Sequence, residues 1–384
     1  MNVAPLSPED PVELGGFHLA GRIGHGGMGQ VYLGESPAGE AAAVKVIKPS
    51  VVDSETRQRF ALEIEVLKTV WGPRIAAFMD ADTEAERPWL ATEYVEGPDL
   101  RKLIESQGTL SGLFAASLCA TLAEALAGVH KQGLLHRDLK PANILLGPNG
   151  PKIIDFGLAV FAESSASLTA PNMIVGTPAC MAPEQANGEK PLTAAVDVYA
   201  LGAVLVFVLT GHYPYHADNL HVMFHLITDP TKEPSLSGVP EELVPLVTAM
   251  LRRPKEQRPK LLEVVQQCRA IIEAGGLTVA QARRRLTALT AAAVVEAAVE
   301  DAPTEIVTAV QERQECAADD VPDGYTPTLR DATWPTRIEI EGVPESLIES
   351  AVKSTLPPKS QARSAAARRV ANQLREAYAQ HAAF

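Results

Sequence analysis

Cysteine is scarce in this sequence. Its four residues, Cys119, Cys180, Cys268 and Cys316, stand far apart with no C-x-x-C pair, which argues against a zinc cluster or a disulfide framework and fits a reducing cytoplasm. Long hydrophobic runs are lacking as well. The longest, Val198 to Leu209, stops far short of the roughly 18 to 20 residues that a bilayer crossing requires and reads as a buried helix. Ala288 to Val299 is apolar but Ala-rich and interrupted by Glu296, so no membrane span is expected. The opening MNVAPLSPEDPVELGG has no basic stretch leading into an apolar one, and no secretory signal is expected either. Positive charge is in deficit: 34 Lys and Arg against 47 Asp and Glu leave a net −13. That balance is a poor basis for neutralising nucleic-acid phosphates, so no nucleic-acid partner is expected.

What is present is length and pattern. At roughly 150 residues per domain the chain has room for two or three folding units. Residues 1–16 are Pro- and acid-rich and read as a loose arm. From Phe17 onward FHLAGRIG, QVYLGE and AAAVKVI read as three antiparallel strands separated by turn residues. Asp53 to Val70 places Phe60, Ile64, Leu67 and Val70 on one helical face. Two further short strands are expected near Ile75–Met79 and Trp89–Tyr94. After Gly97 the periodicity becomes helical, over Leu113–Gln132, Val198–Thr210, Glu241–Arg252 and Leu261–Ala274. A small sheet-rich lobe (17–96) followed by a larger helical lobe (97–274) is an α+β plan.

Beyond 274 the charge divides. Residues 296–349 hold three basic and 14 acidic residues, as expected of a solvated linker; residues 275–358 are read as a helical segment and this acidic linker, partly disordered. The last segment, 359–384, is basic and places Val370, Leu374, Tyr378 and His381 on one face of an amphipathic helix.

Three motifs bear on chemistry. Gly24-His25-Gly26-Gly27-Met28-Gly29-Gln30-Val31 joins the first two strands; such a turn lets backbone N–H groups approach phosphate oxygens, and it also suits an ordinary hairpin. Lys45 sits inside an apolar strand, where an unpaired ammonium is costly; Glu63 is the natural partner, with snorkelling to the sheet edge as the alternative. The third is His136-Arg137-Asp138-Leu139-Lys140-Pro141-Ala142-Asn143, followed by Asp155-Phe156-Gly157 and Ala182-Pro183-Glu184.

Together these resemble the eukaryotic-like (Hanks-type) serine/threonine protein kinases, in their bacterial branch, over about residues 17–272. The resemblance implies a bilobal protein-kinase fold with a C-terminal tail. It implies that Gly24, Gly26 and Gly29 cover the phosphates of ATP and that Lys45, held by Glu63, contacts them. Asp138 would orient the acceptor hydroxyl and take its proton, and Lys140 would neutralise the transferring phosphate. Thr177 would bridge Asp138 and Lys140, while Asn143 and Asp155 would bind Mg²⁺ (or Mn²⁺). Adenine would lie between Val31 and Ala43 above and Leu145 below, against the strand edge Glu93–Val95, with Thr92 as gatekeeper. Asp197 would anchor the catalytic loop, Arg258 would pair with Glu184, and His136 would belong to the core.

The Ala-Pro-Glu segment and Thr177 imply protein substrates with Ser or Thr acceptors. They weigh against a small-molecule phosphotransferase, and the full catalytic set weighs against a pseudokinase scaffold working through its tail. Arg137 would receive a phosphorylated activation segment. Thr169 is the first choice of site there, modified by the chain itself in trans through a transient dimer. Departures from the pattern are Cys180 in place of an aromatic residue, Trp71-Gly72-Pro73 after the first helix, and His25 in the Gly-rich turn. None removes a catalytic group.

Overall fold

A computed structural model describes residues 3–25, 29–48, 53–156, 178–217 and 219–300, with side chains as far as Val294. All of these belong to one compact unit, Met1–Glu312. Gly26, Thr169 and Thr177, the acidic stretch beyond 300 and the helix expected over 359–384 lie outside the described residues.

The small lobe is an antiparallel sheet in the order β1-β2-β3-β4-β6-β5. Its strands are β1 (Glu13–Leu14), β2 (Phe17–His25), β3 (Gly29–Glu35), β4 (Ala41–Ile47), β5 (Phe78–Asp82) and β6 (Trp89–Glu93). In β4 the two-residue alternation decides everything. Ala42, Val44 and Val46 pack into a core with Phe17, Leu19, Tyr32 and Trp89, which leaves Ala43 and Lys45 on the opposite face. Gly29 is required at the start of β3, because a Cβ there would stand 2.0 Å from the Val46 carbonyl oxygen. Helix α1 (Ser54–Leu67) buries Phe60, Ile64 and Leu67 as its spacing predicts.

Two expectations for this lobe are revised. Residues 3–16, read as a loose arm, are tied down: Ala4 pairs with Arg22, and Asp10 accepts from Arg22 Nε at 2.6 Å and from the Tyr32 hydroxyl at 2.8 Å. The strand expected from Ile75 begins only at Phe78. Its first residues instead pair with the other lobe, where Ala76 N–H donates to Ile153 O at 3.0 Å and Ile153 N–H to Arg74 O at 2.8 Å.

The large lobe is built on α3 (Gly112–His130), α5 (Ala195–Thr210) and α8 (Leu261–Ala274), with α2 (Leu100–Gln107), α4 (Pro183–Ala186), α6 (Leu220–Thr228) and α7 (Val244–Met250) around them. Every residue of α5 from Val196 to Leu209 is buried, as the apolar run predicts. Helix α3 has the length and composition to cross a membrane; here it is a core helix, buried from Ala115 to Cys119 and packed on α8 and α5. The hairpin β7 (Ile144–Gly147) and β8 (Gly150–Ile153) closes this lobe toward the sheet. A further helix, α9 (Val279–Glu300), continues the same compact unit past the expected domain end at 274.

Candidate active site

The loop between α3 and β7 carries Asp138, and a buried carboxylate fixes its shape. Asp197, on the first turn of α5 and fully buried, accepts from the backbone N–H of His136 at 2.9 Å and of Arg137 at 2.8 Å. His130 Nε2 meets the same carboxylate at 2.7 Å. Burial alone would push the Asp197 carboxyl up, but the His130 hydrogen bond and the nearby His136 outweigh it and hold it below its ordinary value. So anchored, Arg137 adopts φ 63°; Asp155, across the cleft loop, also takes a left-handed φ of 67°, a conformation that non-glycine residues hold only where their surroundings dictate it. His136 is fully buried and packs against Phe156 with the rings tilted at 54° and their centroids 4.6 Å apart. It is a core residue, as expected.

Around Asp138 the polar groups converge. Lys140 Nζ donates to Asp138 Oδ2 at 2.6 Å. Asn143 Nδ2 donates to the Asp138 carbonyl at 2.7 Å, an arrangement that leaves Asn143 Oδ1 available as a ligand. Ile154 N–H donates to Asn143 O at 3.0 Å, tying Asn143 to the residue before Asp155. Across the cleft, Lys45 Nζ pairs with Asp155 Oδ2 at 2.8 Å. Burial raises the Asp155 carboxyl, but Lys45 and then Lys140 outweigh it and hold it below the usual carboxylate range.

The expected Lys45–Glu63 pair is not formed. Glu63 Oε1 instead accepts from Arg137 Nη1 at 2.7 Å. The physical reason is that all four groups are largely shielded from water, with side-chain exposures of 15% and 33% for Lys45 and Asp155 and 25% and 14% for Arg137 and Glu63. Each charge therefore needs a counter-ion, and the position of α1 brings Glu63 to Arg137 while Asp155 takes Lys45.

Between the lobes lies a cavity of about 460 Å³. Gly24, Gly29, Val31, Ala43 and Lys45 line it from the sheet, Thr92 and Glu93 from the end of β6 with Val95 just beyond it, the segment that crosses to the large lobe, and Asp138, Lys140, Asn143, Leu145 and Asp155 from the large lobe. Sequence reasoning named all of these. It missed Ile23, Asp99 and Lys102, which share the lining, the Asp197 partner His130, and Lys152, which donates to Glu93 Oε2 at 2.6 Å. Lys152 was findable, since it sits opposite Leu145 in the β7–β8 register, one strand position from a cavity residue.

The donor set fits a hard divalent cation. Among the described residues no group of three or more His, Cys, Asp or Glu could hold a metal unaided. A cation held by Asn143 and Asp155 would complete its shell with phosphate and water oxygens, as Mg²⁺ commonly does. The predicted Arg258–Glu184 pair is present and buried, with Nη1 to Oε1 at 2.5 Å and Nη2 to Oε2 at 2.8 Å. Cys180 is buried, and burial, followed by the proximity of Asp138, pushes its thiol well above the ordinary range.

The arrangement of Lys45, Asp138, Asn143 and Asp155 around a two-lobed cleft is that of a phosphotransferase of the protein-kinase type. Residues 17–268 match the protein kinase domain family, and the chain belongs to it. It is 42% identical over 266 residues to the probable serine/threonine-protein kinase PkwA of Thermomonospora curvata, covering 69% of this chain and 35% of that protein. It is 41% identical over 267 residues to the serine/threonine-protein kinase AfsK of Streptomyces coelicolor, covering 69% and 33%. Against the serine/threonine-protein kinase PknF of Mycobacterium tuberculosis the identity is 34% over 263 residues, covering 65% and 54%. The matched region thus spans about a third of the length of the first two relatives. The family implies ATP and a divalent metal as cofactors and proteins as substrates.

Proposed function

We propose that this chain transfers the γ-phosphate of ATP to Ser and Thr hydroxyls of proteins, its own activation segment included, in cytoplasmic bacterial signalling. The observation that supports this most is the convergence of Asp138, Lys140, Asn143, Asp155 and Lys45 at one end of the inter-lobe cavity. Adenine occupies the apolar end between Val31, Ala43 and Leu145. There the N–H groups of Glu93 and Tyr94 are committed to Ala77 and Ala41, which makes Val95 the first amide beyond the sheet.

Lys45 and the Gly24 and Gly29 backbone bind the phosphates. Asp138 orients the acceptor hydroxyl and receives its proton, a contribution of roughly 10²- to 10⁴-fold in such sites. Lys140, already within hydrogen-bond reach of Asp138, balances charge on the phosphoryl group in transit. Mg²⁺, held by Asn143 and Asp155, would supply neutralisation of the β- and γ-phosphate charge. Thr177 bridges Asp138 and Lys140 through its hydroxyl, and Thr169 is the regulatory phosphosite. The three buried free thiols Cys119, Cys180 and Cys268 favour a reducing compartment.

Purified chain incubated with labelled ATP and Mg²⁺ tests the reading. Phosphate should appear on the protein's own Ser or Thr and be lost in Asp138→Asn and in Lys45→Met. Label that persists in Asp138→Asn, or that forms with no metal, contradicts it.

A further inference from the structure

Helix α9 lies beyond residue 268, where the family match ends, yet it is built into the wall behind the cleft. Thr278 starts it reciprocally: Gln281 N–H donates to Thr278 Oγ1 at 3.2 Å, and Thr278 N–H donates to Gln281 Oε1 at 2.9 Å. From there Ala282, Leu286, Thr290 and Ala293 recur at helical spacing, and none is more than 3% exposed. They face α3, α8, β7 and β8. Three of the four are small, which lets the helix axis come close to the hairpin. Arg283 Nη2 adds an exposed ion pair to Glu124 of α3 at 2.6 Å.

Strand β7 is where this packing reaches the nucleotide. Its side chains alternate: Leu145 lines the cavity, whereas Leu146 belongs to the core cluster that holds Leu286 and Ala293. The chain leaving the crossing strand is caught in the same layer. Leu146 N–H donates to Pro98 O at 2.9 Å. Gly97, at φ 140°, passes so tightly that a Cβ would stand 2.1 Å from the Leu146 carbonyl oxygen and 3.0 Å from Val294 Cγ2. One helix therefore backs both the floor strand under adenine and the exit of the strand edge beside it.

We propose that α9 is a positioning element for the nucleotide cavity, fixing the spacing between Leu145 and the Glu93–Val95 edge, with Leu286 and Val294 as its principal contacts. The proposal rests on the ATP reading of the cleft. It separates binding from chemistry: the elements α9 packs on most are α3, β7, β8 and α8, so its loosening weakens nucleotide affinity and leaves turnover at saturation nearly intact. In the terms of kinetics this is a rise in KM with kcat unchanged.

The test uses the full chain carrying Leu286→Ala, Leu286→Met or Val294→Asp, with a fluorescent ADP analogue for affinity, steady-state kinetics in ATP, and hydrogen exchange over residues 97–99 and 279–294. The expected result for Leu286→Ala and Val294→Asp is a roughly three- to tenfold weaker analogue Kd and higher KM for ATP, kcat within about twofold, and faster exchange at 97–99. Leu286→Met should return to wild-type affinity, because it refills the same volume. Wild-type affinity in a Leu286→Ala chain whose α9 exchanges freely would overturn the proposal. Should Leu286→Ala not fold, Val294→Asp decides alone, since Val294 is only partly buried: a folded Val294→Asp chain with wild-type nucleotide affinity overturns it equally. A wild-type chain that binds no analogue would instead remove the ATP reading itself, and this proposal with it.

Discussion

Asp197 concentrates more structural consequence in one carboxylate than any other residue of the large lobe. It accepts from two backbone N–H groups and meets one imidazole, all within 2.9 Å, and those two amides belong to the residues immediately before Asp138. Replacing it with Asn keeps the shape but removes the charge and one acceptor. Hydrogen bonds to a charged group contribute about 1.5–3 kcal/mol each, so Asp197→Asn should lower the melting temperature at pH 7 and slow turnover by misplacing the loop. The pH dependence has a definite sign. The folded carboxyl is held below its ordinary value, so its stabilisation is full above the unfolded carboxylate value of about 3.9 and is lost as pH falls through the lower folded value. The melting-temperature gap between wild type and Asp197→Asn should therefore narrow as pH falls from 7 toward 3; a gap that widens with acid would contradict the assignment.

At the scale of elements, helix α1 matters because it decides which cation Glu63 meets. With Glu63 on Arg137 and Lys45 on Asp155, the lysine is engaged by the carboxylate proposed to hold the metal. A phosphate on the activation segment would draw the Arg137 guanidinium through stronger, bidentate bonds and release Glu63 toward Lys45. Glu63→Gln should then cost phosphorylated protein at least about tenfold in kcat/KM, roughly 1.4 kcal/mol. It should change dephosphorylated protein much less. Equal losses in the two forms, read by steady-state kinetics after phosphatase treatment, would refute the exchange. This is also where the sequence stopped being legible. Strands β2, β3, β4 and β6 and helices α1, α3 and α5 followed from period, because a two-residue or 3.6-residue alternation is written locally, and most of the residues that line the cleft were named from motif. Which of two carboxylates pairs with Lys45 depends on the placement of α1 against the other lobe, a distance of tens of residues along the chain. The same holds for residues 3–16: their composition reads as solvated, but Asp10 finds Arg22 and Tyr32 across the sheet, a contact no local pattern encodes.

For the whole molecule, the question is where the catalytic unit ends. Helical period and motif place the end at 274, and the family match closes at 268, but burial continues through Ala293. The run that begins at Ala288 reads from the sequence as a stretch too short for a membrane within a helical segment. As far as Val294 its apolar side is spent inside the protein: Thr290 and Ala293 are buried, in a helix packed on α3 and the β7–β8 hairpin. A chain stopped at Gly276 would expose Leu146 and the α3 face that Leu286 and Ala293 cover. Burial of one leucine is worth about 1.5–3 kcal/mol, and a domain of this size loses about 2–4 °C of melting temperature per kcal/mol. The chain ending at Gly276 should accordingly melt roughly 5 °C or more below one ending at Glu312, the end of the compact unit. It should also bind hydrophobic dye at temperatures where the longer chain does not. Calorimetry on the two chains side by side checks this, and coincident transitions would mean that the unit closes at α8 and that α9 is held to it by no appreciable free energy.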